Sequence, residues 1–597
     1  MFKKITLQLF ICLLTLTNLH AQTEFITTWK TDNSGVTDEN TITFPVGYED
    51  PSLYNFDIDW GDGTTSSNLS TVTSHTYANP GTYTVTISGD YPSINNKFNG
   101  DRTKLISIEQ WGTQQWLSMA EAFSNCSNLS INATDTPDLS MVTTMKSMLY
   151  NVPNINPAIS NWNVGNVTDM SKMFGSGSGS SFNQPIGNWD VSSVTDMSGM
   201  FANATTFNQS IDNWDVSNVT DMSSMFSNSN FNQPIGNWDV SSVTDMSAMF
   251  NLAPFNQNIS IWDVSNVTDM TSMFNRASFN QDISNWSVNN VTNMSQMFFY
   301  SSFNQPIGNW DVSSVTDMSF MFVRTAFNQD ISNWSVNNVT NMSFMFYRAS
   351  FNQDISNWSV NNVTNMSQMF FYSSFNQPIG NWDVSSVTDM SFMFVRTAFN
   401  QDISNWSVNN VTNMSYMFYD ATAFNQDIGS WDISNVTDMS FMFLSSLSIT
   451  NYDNTLIGWN TLDTAAGETQ IPTNITFGGG NSKYCNGEAA RTNLIDTYGW
   501  TITDGNLDSN CSTLSIDNFD TSEIVLYPNP VATSFTVKGL DNDTYNLQII
   551  NLQGQVLKTL EYTNGKPVAI EELANGVYIV KVQSDQNTKT VRIIKSN

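Results

Sequence analysis

The sequence predicts a repeat solenoid of about 14 units of 24–25 residues, each a short strand plus a short helical turn, flanked by N- and C-terminal β-sandwich domains. Three observations predict it. One phrase recurs between Lys104 and Leu447, best seen at residues 279–302 as FNQDISNWSVNNVTNMSQMFFYSS. Numbered from its Phe, the position-20 Phe returns as Phe123, Phe174, Phe201 and Phe226, then every 24 residues from Phe250 to Phe418, and last as Phe443, with Leu149 standing in once. Residues 279–343 are identical to 351–415, so three units copy themselves 72 residues downstream. Both flanks lack the period and alternate apolar and polar residues between turns containing Gly or Pro.

Residues 1–21 read as a signal peptide: Lys3 and Lys4, an apolar run over 5–19, then Leu19-His20-Ala21 before Gln22. Cys12 follows Ile11, where lipid attachment expects a small residue. No other stretch reaches the roughly 20 apolar residues of a membrane helix, so no membrane-spanning segment is expected. In residues 22–102, positions 56–63 alternate into an Asp-Gly turn, and 77–87 form a Pro-Gly turn and a second alternating strand. Trp60-Gly61-Asp62-Gly63, His75, Tyr77 and residues 81–85 resemble the PKD family, which implies an immunoglobulin-like sandwich serving as a spacer or weak interaction module. Asp57, Asp59 and Asp62 read as an acidic turn, because the full EF-hand ligand pattern is missing.

Residues 103–447 form the array. In the unit at 279, apolar residues fall at positions 1, 5, 8, 10, 13, 16, 19 and 20. Ile283, Trp286 and Val288 have the spacing of a leucine-rich-repeat strand. Val291, Met294, Met297 and Phe298 step by threes and fours, the pattern of a short helical turn. The array resembles the BspA-like leucine-rich repeat surface proteins, in their Trp- and Met-rich branch. It departs from them at Val291, where the common pattern has Asn, and in opening each unit with Phe-Asn-Gln. The Trp column (Trp189, Trp214, Trp238, Trp262 and on to Trp431) is expected in the core, because exposing it would bury the neighbouring Asp190, Asp215 and Asp239. Position 15 alternates Asp and Asn (Asp196, Asp221, Asp245, Asp269, Asn293), as turn caps do. The position-2 column, Asn183 to Asn425, is expected to hydrogen-bond turn backbone as a ladder. At position 9, Asp190, Asp215, Asp239 and Asp263 would project from adjacent strands about 5 Å apart. Ca²⁺ bridging would relieve that repulsion, and solvation is the alternative.

Residues 448–513 break the period and are expected to cap the open end of the array, with a helix around 488–498, a strand at 500–503 and a disulfide between Cys485 and Cys511. Cys126 is expected to be a buried thiol. Residues 514–597 return to short alternating strands. Leu526-Tyr527-Pro528-Asn529-Pro530, residues 551–556, residues 573–580 and residues 591–595 resemble the type A sorting domain of the type IX secretion system of Bacteroidetes. That resemblance implies engagement of the type IX machinery, passage across the outer membrane, removal of the domain, and surface attachment or release.

A net charge of −32 disfavours nucleic acid and anionic membranes. One histidine and three cysteines outside the leader leave carboxylates as the sole catalytic material. Positions 18, 21 and 22 vary most between units and are expected to share one outward face. From Gln296 onward they carry Phe299 and Tyr300; Phe320 and Arg324; Phe344, Tyr347 and Arg348; Phe371 and Tyr372; Phe392 and Arg396; Tyr416 and Tyr419; Phe441 and Leu444. Every Lys or Arg between Asn151 and Thr450 falls there: Lys172, Arg276, Arg324, Arg348 and Arg396. Aromatics interleaved with Arg make interface hot spots. The expectation is therefore a secreted or surface-held, non-catalytic adhesin that binds an extracellular protein or glycan through this ribbon, without an obligate cofactor. A self-associating surface protein and a carboxylate-only glycan hydrolase are the alternatives, and packing of the ribbon side chains on one another is the structural one.

Overall fold

The computed structural model describes residues 24–47, 50–96, 101–465, 467–511, 524–540, 544–583 and 588–596. The leader expected at 1–21 lies outside them. The chain divides into two units at Asp508 and Ser509.

In the first unit, strands β1 (Phe25–Lys30), β2 (Thr41–Phe44), β3 (Asn55–Asp59), β4 (Thr65–Leu69), β5 (Thr73–Thr76), β6 (Thr82–Asp90), β7 (Leu105–Gln110) and β8 (Ser130–Ile131) follow in order. They form a six-stranded sheet, β4-β3-β6-β1-β7-β8, and a two-stranded one, β2-β5. Alternation decides which face is buried: Phe25 and Trp29 of β1 and Phe56 and Ile58 of β3 point inward. The Trp60-to-Gly63 motif works as a clamp. Asp62 accepts from Thr64 and faces His75 Nε2 at 2.9 Å, the His75 ring stacks on Trp60 at 4.7 Å, and Tyr77 donates to the Trp60 carbonyl. These bonds hold the Asp62 carboxyl down at about 2. Asp57 and Asp59 accept from Asn68 and Gly61 backbone N–H, so they close turns.

The boundary expected at 102 is not a seam. β7 lies inside the segment assigned to the array, yet it pairs antiparallel with β1 and parallel with β8, so sheet and array share one core. Lys104 beside it is fully buried. Its Nζ donates to the carbonyls of Thr37, Asp38 and Thr41 and to the Thr37 hydroxyl, with Asp101 at 3.5 Å. A buried charge this fully bonded is tolerated; removing one partner would not be.

The repeats contain neither the strand nor the helical turn that their spacing suggests. In the unit at 279, residues 283–288 form no strand and are broken by a turn at 284–285, and 294–301 are a chain of tight turns. The backbone N–H of Trp286 bonds Ile283, Val291 bonds Val288, Met297 bonds Met294, Phe299 bonds Gln296 and Ser301 bonds Phe298. Each is a four-residue turn, and all but the one from Gln296 to Phe299 begin or end on a buried side chain. A spacing of three therefore arises from successive turns as readily as from a helix.

Units are joined by parallel backbone bonding centred on position 15, where Asp269, Asn293, Asp317 and Asn341 form consecutive single bridges. The N–H groups of Met294, Gln296, Phe298 and Tyr300 donate to the carbonyls of Asp317, Ser319, Met321 and Val323 in the next unit, at 2.8–3.0 Å. Inside, the columns stack: Trp286, Trp310 and Trp334 lie 6.5 Å apart and nearly parallel, and Phe298 stacks on Phe303 at 4.0 Å. From Trp189 to Trp431 each column Trp donates its Nε1 to the Ile carbonyl of the preceding unit, as Trp286 does to Ile259, so the polar end of the buried ring is satisfied. Outside, polar ladders run along the array. Asn256 Oδ1 accepts from the Asn280 N–H, and Thr292 donates to the Thr268 carbonyl. Position 15 caps the turn that follows, as Asp196 does for the Ser198 N–H.

At the C-terminal end of the array lies β9 (Met439–Phe443). Helix α1 (Ile449–Trp459), β10 (Thr476–Gly479), helix α2 (Glu488–Asp496) and β11 (Thr501–Thr503) follow and cover it, with β10 parallel to both β9 and β11. An added Cβ at Gly478 would sit 2.6 Å from the Phe441 backbone, so glycine is required for this close approach. The sequence reading placed α2 and β11 but missed α1 and β10. Buried Asp453 on α1 accepts the backbone N–H groups of Cys485, Asn486 and Gly487 at 2.8 Å each. Cys485 and Cys511 are both disulfide-bonded, and Cys126 is a buried free thiol.

The second unit has its own core around Phe535, Leu547, Ile549, Val580 and Ile593. Strands β12 (Val525–Tyr527), β13 (Ser534–Lys538) and β16 (Val568–Ala569) make one sheet. β14 (Thr544–Ile550), β15 (Val556–Thr563), β17 (Gly576–Gln583) and β18 (Thr588–Lys595) make the other. Among the described residues no helix is long and apolar enough to cross a membrane.

Candidate functional site

Position 18 of each unit, and position 22 of all units except those of Ser176 and Ser445, adopt left-handed backbone, and this places the variable side chains outside. At position 18, φ is 60° at Gly199, 53° at Ala248, 58° at Gln296 and 59° at Phe320, Phe344 and Phe392. At position 22, φ is 58° at Asn203, 54° at Arg276, Arg348 and Arg396, and 53° at Arg324. Glycine and asparagine suit this conformation, whereas bulky residues resist it. The downstream units nevertheless fill both positions with Phe, Tyr and Arg. The expected common face of positions 18, 21 and 22 therefore exists, but left-handed turns create it and a helix does not.

On that face the rings form a ladder. Phe320 stacks on Phe344 at 4.3 Å, Tyr347 on Phe371 at 4.7 Å, Phe392 on Tyr416 at 4.6 Å and Tyr416 on Phe441 at 4.9 Å. Phe344 meets Tyr347, Phe371 meets Phe392, and Tyr419 leans on Tyr416. Most rings are half-buried by these contacts, so packing on one another and facing solvent are both realised. Phe441 is the most open at 57 % exposed.

Beside the rings runs a second column in which arginine and tyrosine alternate. Arg276 and Arg324 flank Tyr300 at 5.3 and 4.8 Å from its ring centre, and Arg348 and Arg396 flank Tyr372 at 4.8 and 4.9 Å. The same Arg–Tyr–Arg arrangement thus occurs twice, 72 residues apart, its Tyr and second Arg lying in the duplicated stretch. Arg396 also bonds the Tyr372 hydroxyl and pairs with Asp420 at 2.7 Å. Asp420 escaped the sequence reading, although it occupies position 22 one unit after Arg396. Upstream, where position 18 carries Gly199 and Ser224, the face opens into a groove of about 340 Å³ lined by Tyr150, Lys172, Ala202 and Asn203.

The acidic column is a different matter. Asp190, Asp215, Asp239 and Asp263 do not project from strands. Each begins a tight turn and accepts the backbone N–H two residues on, from Ser192, Ser217, Ser241 and Ser265. Bonds from the Ser192 and Ser241 hydroxyls, with these backbone bonds second, hold Asp190 and Asp239 below the usual carboxylate range. Among the described residues no group of three or more Asp, Glu, His or Cys side chains converges as a metal site requires, so the geometry does not gather these four into a Ca²⁺ site.

Comparison with protein families gives two matches. Residues 525–596 match the secretion system C-terminal sorting domain, which indicates type IX export and a secreted or cell-surface location. Residues 117–234, 227–323, 278–374, 299–397 and 371–470 match the family described as "Mycoplasma protein of unknown function, DUF285". No curated protein and no solved structure matches the chain. Since the repeat matches together span residues 117–470, more than half of the sequence, the chain belongs to the DUF285 family, as a secreted or cell-surface repeat protein with a C-terminal sorting domain.

Proposed function

We propose that the protein is a non-catalytic adhesin whose repeat solenoid presents the aromatic and arginine ribbon to an extracellular ligand. In this reading the N-terminal segment is a PKD-like sandwich acting as a spacer, residues 448–513 are the cap, and the sorting domain is an export address. One observation carries it. The left-handed positions recur along the whole array, but from Gln296 onward they are filled mainly by rings and arginine where upstream units have mostly Gly, Ser, Ala and Asn. Aromatics interleaved with arginine on one outward face are the composition of an interface.

A hydrolase fits less well. A glycosidase needs one carboxyl raised and one ionised. Along the array Asp190, Asp311 and Asp330 are all held below the usual carboxylate range, each by bonds from a serine two residues on, so these carboxyls share one environment.

The test is a binding screen of the full chain against extracellular-matrix proteins and glycans. Beside it runs a variant carrying Arg324→Ser, Arg348→Ser and Arg396→Ser with Phe320→Ser and Phe344→Ser. A ligand bound by the wild type and lost in the variant is the expected result. A ligand held equally by both removes the ribbon from recognition, and wild-type self-association in sedimentation with no ligand makes the self-associating reading the better one.

A further inference from the structure

We infer that the ligand of the ribbon is an acidic linear polysaccharide, one whose carboxylate or sulfate groups recur along the chain. This inference rests on the ribbon being the recognition surface.

Ring faces are the first consideration. Neutral sugars are held by stacking on open aromatic faces, and here the faces are covered. Tyr416 lies between Phe392 and Phe441, and Phe320 and Phe344 cover one another. Tyr300 and Tyr372 each have a guanidinium from the preceding unit and another from the following one. What such a stack offers a ligand is ring edges, and the edge of an aromatic ring is its positive part.

The guanidiniums point the same way. Among the described residues Arg276, Arg324 and Arg348 have no carboxylate within ion-pair distance, and of the four arginines only Arg396 has one, Asp420. An array belonging to a chain of net charge −32 has many carboxylates to offer them. Instead the guanidinium carbons of Arg276, Arg324 and Arg348 lie 4.8–5.3 Å from the ring centres of Tyr300 and Tyr372, and their N–H forks have no carboxylate to bond among the described residues. Such a fork suits a carboxylate or sulfate, and its conformation is already fixed by the ring beneath it.

Spacing then argues for a polymer. The two Arg–Tyr–Arg arrangements are 72 residues apart, three units, or about 14 Å at about 4.8 Å per unit. One small anion reaches one arrangement only. A chain with repeated anionic groups spans both and gains from linking them. The rest of the array is acidic, but at physiological salt charges beyond about 8 Å are screened, so the local line of arginines decides.

The full chain is tested by calorimetry or immobilised-ligand binding against dextran sulfate, polygalacturonate and neutral dextran at 0.15 M salt. Arg324→Gln with Arg348→Gln is the main variant. Gln already occupies left-handed backbone in this array, at Gln296 and Gln368, so the substitutions keep the turn. The expected result is binding to one or both acidic polymers and none to dextran. Affinity should fall about tenfold or more in the double variant and rise as salt is lowered from 0.15 M toward about 0.1 M. Preference between dextran sulfate and polygalacturonate tells sulfate from carboxylate as the group recognised. Acidic-polymer binding that the double variant retains overturns the proposal. A neutral glycan or a protein bound by the wild type and lost in the variant overturns it while keeping the ribbon as the recognition surface. Self-association lost in the variant overturns it in favour of a second copy as occupant. Absence of any ribbon-dependent binding overturns both.

Discussion

Replacing Ser224, Ala248 and Ser272 together by glycine should stabilise the array, and this follows from the position-18 geometry. Their φ values are 56°, 53° and 57°. A left-handed residue with a Cβ costs about 1–2 kcal/mol. Glycine removes that cost and adds about 0.5–1 kcal/mol of lost chain entropy. About 0.5–1 kcal/mol therefore remains per site, or roughly 1.5–3 kcal/mol over three consecutive units if the sites add. Little opposes it, since among the described residues neither serine hydroxyl has a hydrogen-bond partner. A repeat array opens locally, so the readout is native-state hydrogen exchange. The amides of Met222, Phe226, Met246, Phe250 and Met270, which donate to the next unit, should gain protection by about 10- to 100-fold. The outcome also has a sign. Had the segment been the helical turn that its spacing suggests, three glycines would each cost about 1 kcal/mol and protection would fall. Unchanged or reduced protection at these amides refutes the left-handed account.

Asp453→Ala should release the cap: three buried N–H groups lose their acceptor, at about 1–3 kcal/mol apiece, so limited proteolysis at residues 483–500 should accelerate markedly, and an unchanged cleavage rate would show that the carboxylate is not the clasp. For Asp62 the folded value of about 2 lies below the ordinary 3.8. Its stabilisation is thus complete above about pH 4 and is lost as pH falls toward 2. Asp62→Asn should lower exchange protection in β3 and β6 at pH 7, with the difference from wild type closing between about pH 4 and 2; a difference that stays constant with pH would exclude the Asp62 carboxylate as its cause.

How much of this was legible in the sequence follows from the range of each interaction. The Trp286 and Phe298 columns, the Asn183-to-Asn425 ladder and the position-15 caps involve the same position in adjacent units, so one period exposes them. The variable face was legible for the same reason, because comparing units shows what may change. Turn geometry was not. Met294, Met297 and Phe298 have one spacing for a helix and for successive turns, and only Gly199 among the position-18 residues signals the left-handed backbone. Partners far apart were hidden too. Asp453 meets residues 485–487, Tyr452 donates to Asp504, which also holds Arg491, and β7 adds itself to β1; nothing local in those sequences names the partner.

The contrast between the two ends of the array bears on why the ribbon exists. Upstream units place Gly199, Ser224, Ala248 and Ser272 at position 18 and leave a groove; downstream units place rings there. Both kinds share the same buried Trp, Met and Phe columns and the same donor ladder into the next unit. The core therefore does not require a ring at position 18. Ser272 and Phe320 both carry a Cβ in left-handed backbone, at φ 57° and 59°, so the strain of about 1–2 kcal/mol is common to them. A stacked ring pair adds only about 0.5–1.5 kcal/mol beyond its buried area, a modest gain that the upstream units do without. Stability gives no reason for three guanidiniums without a carboxylate partner among the described residues to lie in one line on a chain of net charge −32. Selection for what the outer face touches accounts for both, and the 72-residue duplication then doubles the Tyr and second Arg of an arrangement that binds by repetition.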